Sequence, residues 1–343
     1  MSKLVRRDNW PTVAMAVLGL VAFFVIPLVT DTFQTFEFAT VAAYAIAIVG
    51  VNILTGYSGQ ISLGNGAFMA IGSYTTALLV TRAGWPYAAT IPVGAVLSGI
   101  VGLLVGIPSL RLRGIYLALA TFALALSVTP VLNNYDRFTG GHVGVFMRTV
   151  KPPLDLPVSN QQWLYFLGWG IFILTFLPYW LLLRGRTGRA WMAVRDSETA
   201  ATANGISTAY YKTFAFGLSA AYAGIAGSLL VIDLAYASPD TYGLNLSLEL
   251  LIGLVIGGLA YIWGPVIGAI LVVWLPIFAQ KGFGGKPDLA FGVLLIILVF
   301  IAPNGIAGLA HRLFLRATGG GGRQPVIAGV MESTPAEADQ IST

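Results

Sequence analysis

The sequence predicts an all-α polytopic membrane helix bundle of about ten transmembrane segments. Three observations carry this. Of 343 residues, 57% are hydrophobic and only 10% charged, where soluble domains carry about 25% charged residues. Mean hydropathy is +0.80. The apolar residues also gather into runs of roughly the length that crosses a bilayer, about 17–25 residues.

In chain order, the first run follows a basic start, "MSKLVRRDNWP". A signal peptide has a similar head, but no small-residue cleavage site closes this run. It is read as a retained span over 13–30. Further spans are expected at 38–54, 62–80, 87–108, 114–132, 163–183 and 210–231. The stretch 246–280 is too long for one span at about 1.5 Å per residue. Its middle, "GGLAYIWGP", ends in Gly264-Pro265, a strong break signal. It is split into 246–260 and 264–280, and a last span is expected at 288–303.

Charge tests the count. With both termini in the cytoplasm, 13 of the 19 Lys and Arg fall on inner segments and 6 on outer ones, as the positive-inside rule requires. Nine spans would move the C-terminal arginines outside and weaken the bias. The "RLR" at Arg111 to Arg113 then marks the inner end of the fourth span. Residues 133–162 form an outer loop, long enough to suggest a function. Residues 317–343 are Gly-rich and then acidic, and are expected to be a disordered cytoplasmic tail. The expected organisation is one transmembrane domain over 1–316, followed by that tail.

Composition also excludes chemistry. There is no cysteine, so no disulfide framework or thiolate site exists. Histidine occurs only at His142 and His311, outside the apolar runs, which excludes a His-based metal or proton site in the membrane. No catalytic residue, metal ligand or cofactor is expected. The net charge of +5 reads as membrane topology, not as nucleic-acid binding.

One polar segment stands out, "GRAWMAVRDSETAATANGIS" at 188–207. Residues 190–203 lack Gly and Pro and are rich in Ala, the best helix former. Asn204-Gly205 is a helix stop, and Ser207 is placed to cap the next helix. A single helix of about fourteen residues is expected, near 21 Å long. Its Ala face is slim, while Trp191, Met192 and Val194 offer apolar contacts. Such a helix either fits a groove on another protein or lies on the bilayer surface.

Two Gly-rich stretches are polar at membrane depth. The first, Gly56 to Gly66, holds Tyr57, Ser58, Gln60, Ser62 and Asn65. Irregular backbone there must line a cavity or be buried in protein. It reads as a broken helix lining a translocation path, or as a tight cytoplasmic turn with packing glycines. It is not a phosphate loop, because the "GxxxxGK[ST]" lysine is missing. The second stretch holds Gly257, Gly258, Gly264, Pro265 and Gly268, with the same two readings. One acidic residue, Glu249, is placed within the bilayer, about one turn from the outer boundary. It either serves the path or reaches water. Asn52 is expected to bond between helices.

Glu198, Ala200, Ala201 and Gly205 resemble the "EAA…G" coupling motif of ABC importer permeases. With Arg195, Asp196 and Ile206 they are similar to the branched-chain amino acid permease family. The resemblance extends over most of the chain. It includes "NILTGYSGQISLGNGAFMAIGSYTTALL" (52–79), "RLRGIYLALATFALA" (111–125), "TGGHVGV" (139–145), "LELLIGLVIGGLAYIWGPVIGAIL" (248–271) and "FGVLLIILVFIAPNGIAGL" (291–309). The second of these resembles the LivM-type subunit in particular. Asn65-Gly66 departs from the family, which more often has His-Ala there.

The resemblance implies a type II importer-like bundle in a bacterial inner membrane. It implies coupling to an ATPase through Arg195, Asp196, Glu198, Ala200, Ala201 and Gly205. Partners would be a homologous LivH-type permease subunit, two ABC ATPase subunits and an extracytoplasmic solute-binding protein. The chain itself would not be an enzyme, since ATP hydrolysis would belong to the ATPase subunits. The expected substrate is a branched-chain or other apolar amino acid, with urea, short amides and aromatic acids as alternatives. An ion-coupled secondary transporter would need intramembrane ionisable residues, and Glu249 alone would serve.

Overall fold

The computed structural model describes residues 23–112, 114–150, 152, 158–282, 292 and 305–309. Most of the expected first span, nearly all of the span at 288–303 and the tail at 317–343 lie outside the described residues.

Ten of the described helices organise the bundle. α1 is Thr32–Val51, and it runs directly into one π-helical turn, Asn52–Tyr57. α2 is Asn65–Ala83, α3 Tyr87–Ser109, α4 Ile115–Asn134 and α5 Asn160–Arg184. Two short helices follow, α6 at Arg186–Asp196 and α7 at Glu198–Ala203. α8 is Thr208–Leu234, α9 Leu244–Gly257 and α10 Gly264–Gly282. The predicted segments from 38–54 to 264–280 each fall on one of these helices. A two-residue antiparallel pairing, β1 at Val145–Phe146 with β2 at Tyr236–Ala237, closes one end.

Five of these segments are long and apolar enough to cross a membrane: Thr32–Tyr57, α3, α4, α5 and α8. α2, at 19 residues, is not among them. Asn65, Ser73, Thr75, Thr76 and Thr81 dilute its apolar character, and it is buried in protein for most of its length. The chain is a polytopic helical membrane protein.

α8 is the axis of the bundle. It packs on α3, α2 and α1, while α1 also carries α5 and α10. The most apolar window of α8 is 83% buried and that of α4 only 17%, so α4 offers most of its surface to whatever surrounds the bundle. Small residues set the approach of α2, α3 and α8. A Cβ on Gly72 would overlap the Gly224 carbonyl, so these backbones touch directly, as membrane helices do through small residues. Hydroxyls close the same seam: Ser98 Oγ donates to the Phe68 carbonyl at 2.9 Å and Ser228 Oγ to that of Gly72 at 3.1 Å.

The 246–280 stretch is two helices joined by a tight turn at 258–263. α9 has 14 residues, so it rises about 21 Å, short of the roughly 30 Å hydrocarbon core. It starts inside the protein, with Gly66 N–H donating to Ser247 Oγ at 2.9 Å. The single helix expected over 190–203 is corrected to two, α6 and α7. Ser197 breaks it with an extended backbone and caps α7, its hydroxyl accepting from Ala200 N–H at 3.2 Å. Serine competes with the helix backbone in this way and favours a cap over an interior site.

Candidate functional site

The first Gly-rich stretch begins where α1 loosens into its π turn. Such turns are rare and concentrate at functional sites. The chain then runs without regular structure from Gly59 to Gly64, turning at Gly59 with φ +72°. Ser58, Gln60, Ser62 and Asn65 are all buried. Each is engaged inside the protein. Gln60 Nε2 donates to Ser58 Oγ at 2.8 Å and to the Lys212 carbonyl at 3.2 Å. Ser62 Oγ accepts from Gly64 N–H at 3.3 Å, and Asn65 Oδ1 accepts from Ser219 Oγ at 3.2 Å. Tyr57 meets Tyr179 edge-on at 6.5 Å. The stretch is thus a folded plug of polar groups wedged against α4, α8 and α9.

The second Gly-rich stretch meets the first through Asn52. The Asn52 amide is fully buried. Its Nδ2 donates to Tyr179 Oη at 3.0 Å and to the Tyr261 carbonyl at 2.9 Å, and its Oδ1 accepts from Ala260 N–H at 3.0 Å. Gly56 makes room for this: a Cβ there would overlap Asn52 Oδ1 and sit 2.9 Å from Ala260 N. Gly257 ends α9, and Gly258, at φ +118°, turns the chain toward α10. A buried amide without partners is costly, so the pairing of Asn52 fixes the 258–263 turn on the π turn.

The α6–α7 segment is anchored to the same region. Trp191 is fully buried; its Nε1 donates to the Tyr211 carbonyl at 2.9 Å, and its ring stacks on Phe214 at 5.9 Å. Arg195 Nη1 donates to the Gly56 carbonyl at 2.8 Å, while Gly59 lies against the Arg195 side chain. Arg195 also pairs with Asp196 at 3.3 Å. Glu198 forms an ion pair with Lys212, at the start of α8. Ala201 is buried, but Asp196, Ala200 and Gly205 are exposed. Gly205 takes the expected left-handed stop at φ +77°, with Ile206 N–H donating to the Ala201 carbonyl at 3.0 Å.

Glu249 stands apart from these groups. Counting along the sequence puts it one turn from the outer boundary. In the structure its Oε2 accepts from Tyr44 Oη at 3.2 Å, against the middle of α1, because α9 begins within the bundle. The sequence reading missed the hub role of Asn52, the buried Lys212 and Asp233. Asp233 Oδ2 accepts from Thr40 Oγ1 at 2.8 Å. It was overlooked because the expected span stopped at 231, while α8 continues to Leu234. The signal for Asn52 was present, an amide inside an otherwise apolar run.

Comparison with known proteins fits this architecture. Residues 35–302 match the family described as "Branched-chain amino acid transport system / permease component". The chain is 30% identical over 300 residues to the high-affinity branched-chain amino acid transport system permease protein LivM of Escherichia coli, covering 79% of this chain and 69% of that protein. It is 26% identical over 263 residues to a probable LivH permease of Methanocaldococcus jannaschii, covering 71% and 82%. It is 23% identical over 272 residues to the autoinducer 2 import permease LsrC of Yersinia pestis, covering 77% and 74%. No solved structure matches. The chain belongs to the permease components of branched-chain amino acid transport systems, a family of multi-pass inner-membrane transport subunits and not of enzymes.

Proposed function

We propose that this chain is one half of the membrane pore of a binding-protein-dependent ABC importer for branched-chain or other apolar amino acids. The other half is a LivH-type permease subunit. Two ATPase subunits sit on the cytoplasmic face and a solute-binding protein delivers substrate outside. The bundle has ten spans with both termini in the cytoplasm, in one domain over 1–316 followed by the 317–343 tail. α6 and α7 together form the coupling element. The polar plug from Gly56 to Asn65, with Glu249, Gly257 and Gly258, borders the path.

The observation that carries the coupling reading is the two-sided character of α6–α7. Trp191, Ala201 and the Glu198–Lys212 ion pair hold one side to the bundle. Asp196, Thr199, Ala200 and Thr202 are left exposed as a slim face for a groove on a partner. Co-purification tests it: the reading requires a stoichiometric ATPase. Uptake of labelled leucine, isoleucine, valine, urea, acetamide and phenylalanine tests the substrate. Leucine, isoleucine or valine should dominate. Uptake of urea or acetamide alone would move the assignment to an amide importer. Uptake driven by an ion gradient without ATP would overturn the ABC reading.

A further inference from the structure

A chain of contacts runs from α6 into the interior, and it joins segments distant in sequence through one local link, Gly56 against Asn52. Arg195 is its outer end. The Ile53 and Leu54 carbonyls of the π turn accept from Ser58 and Gln60 N–H, both at 3.0 Å, and Arg195 Nη1 donates to the Gly56 carbonyl at 2.8 Å. Gly56 in turn abuts both Asn52 Oδ1 and Ala260 N. Asn52 then ties α1 to Tyr179 on α5 and to Ala260 and Tyr261 in the α9–α10 turn. Ala260 is held at φ +58°, a left-handed conformation that alanine avoids when free. The bond from its N–H to Asn52 helps to hold it there. Strained residues of this kind persist where surrounding contacts over-determine them.

We propose that Asn52 is a positioning residue of the transport cycle: it passes movement of α6–α7, received through Arg195 and the π turn, to the α9–α10 turn. The π turn is the element that can take two arrangements. It holds an extra residue relative to an α turn, and releasing it would slide Ser58–Gly64 along the helix axis by about 1.5 Å. The Arg195–Gly56 contact, kept throughout, carries the movement of α6–α7 into that slide. Asn52 makes the α9–α10 turn follow. This rests on α6–α7 being the ATPase-facing element.

The test uses the full complex, purified with its own ATPase and permease subunits and reconstituted with its binding protein. The readout is labelled leucine moved per ATP hydrolysed. Asn52→Ala and Gly56→Ala should each lower that ratio by about tenfold, a typical coupling magnitude. The double variant should be no worse than either single, because Gly56→Ala acts by displacing Asn52. An unchanged ratio in both singles overturns the proposal, as do single effects that multiply in the double. If the variants do not fold, the cysteine-free chain carries spin labels at Thr202 and Trp263, with a third at Leu119 on α4. All three positions are exposed. The Thr202–Trp263 distance should stay fixed between apo and ATP-vanadate states while both labels move relative to Leu119. A change in Thr202–Trp263, or no movement relative to Leu119, overturns it. Failure of the underlying coupling reading shows separately, as retention of the ATPase subunits by Ala200→Trp.

Discussion

At the scale of the residue, the bundle is held by what is missing from side chains as much as by what is present. Gly72 and Gly224 bring α2 and α8 into backbone contact, and Ser98 and Ser228 bond across the same seam. Between membrane helices, lipid supplies no hydrophobic drive to associate, so close packing and interhelical bonds do the work. Gly72→Ala should therefore destabilise the bundle by about 1–3 kcal/mol, the usual cost of overpacking. Gly170 provides the contrast. It is exposed on α5, and a Cβ there meets nothing within 4 Å. Gly170→Ala should be neutral or stabilising by up to about 1 kcal/mol. Thermal unfolding of the two variants in detergent, side by side, checks the pair. Equal melting temperatures would mean that the α2–α8 seam relaxes freely.

At the scale of the element, α6–α7 divides into an inner and an outer side, and substitutions on each should fail differently. Ala201 is 3% exposed, so Ala201→Trp should push α7 off the bundle and strain the Glu198–Lys212 pair. Gly205 sits at φ +77°, where proline, locked near −65°, cannot follow. Gly205→Pro should thus misdirect the entry into α8. Ala200 is exposed, so Ala200→Trp should leave the bundle intact and block only the groove of the ATPase. Affinity pull-down with the ATPase subunits, against size-exclusion profiles of the permease alone, separates these outcomes. Ala200→Trp should lose the ATPase with a normal profile, and Gly205→Pro should also lose it, with transport abolished. Full transport by Gly205→Pro would remove the coupling role from this segment. The elements were largely legible beforehand, because apolar runs mark buried or lipid-facing helices whatever they pack against. The break at Ser197 was hidden, since helix propensity summed over 190–203 outweighs one serine. The partners of Asn52 were hidden for a different reason: Tyr179 and Tyr261 lie 127 and 209 residues away, and no local pattern reports a contact made only by the tertiary fold. Gly56 was visible as a glycine, but not as the close approach of the π turn to Ala260.

At the scale of the whole molecule, the fold makes orientation in the membrane a single two-way choice. α8 has 27 residues, a rise of about 40 Å, enough to cross the bilayer. Its first turns carry Trp191 and Glu198 of the α6–α7 segment through Tyr211 and Lys212. Its last residue leads into β2, which pairs with β1 beside the Gly140–Gly144 turns. These two regions therefore lie on opposite faces. Charge chooses between them. Arg184, Arg186, Arg189 and Arg195 cluster at the α6 end, and Arg184 stacks over Trp180 at 3.9 Å, an aromatic–cationic pairing suited to a membrane interface. At the other end, Arg82 is engaged by the Phe138 carbonyl at 3.1 Å and stands over the Phe138 ring, so the loop, not the lipid surface, takes up that charge. By the positive-inside rule, the proposed orientation has α6–α7 in the cytoplasm. Cysteine labelling is clean because the native chain has none. Val143→Cys, in the exposed loop, should react with a membrane-impermeant maleimide in intact cells. Thr202→Cys, exposed on α7, should react only after the cells are broken. The reverse pattern would invert the bundle. It would also withdraw α6–α7 from any contact with a cytoplasmic ATPase, because the same face cannot meet both the nucleotide-hydrolysing subunits and the outer solvent.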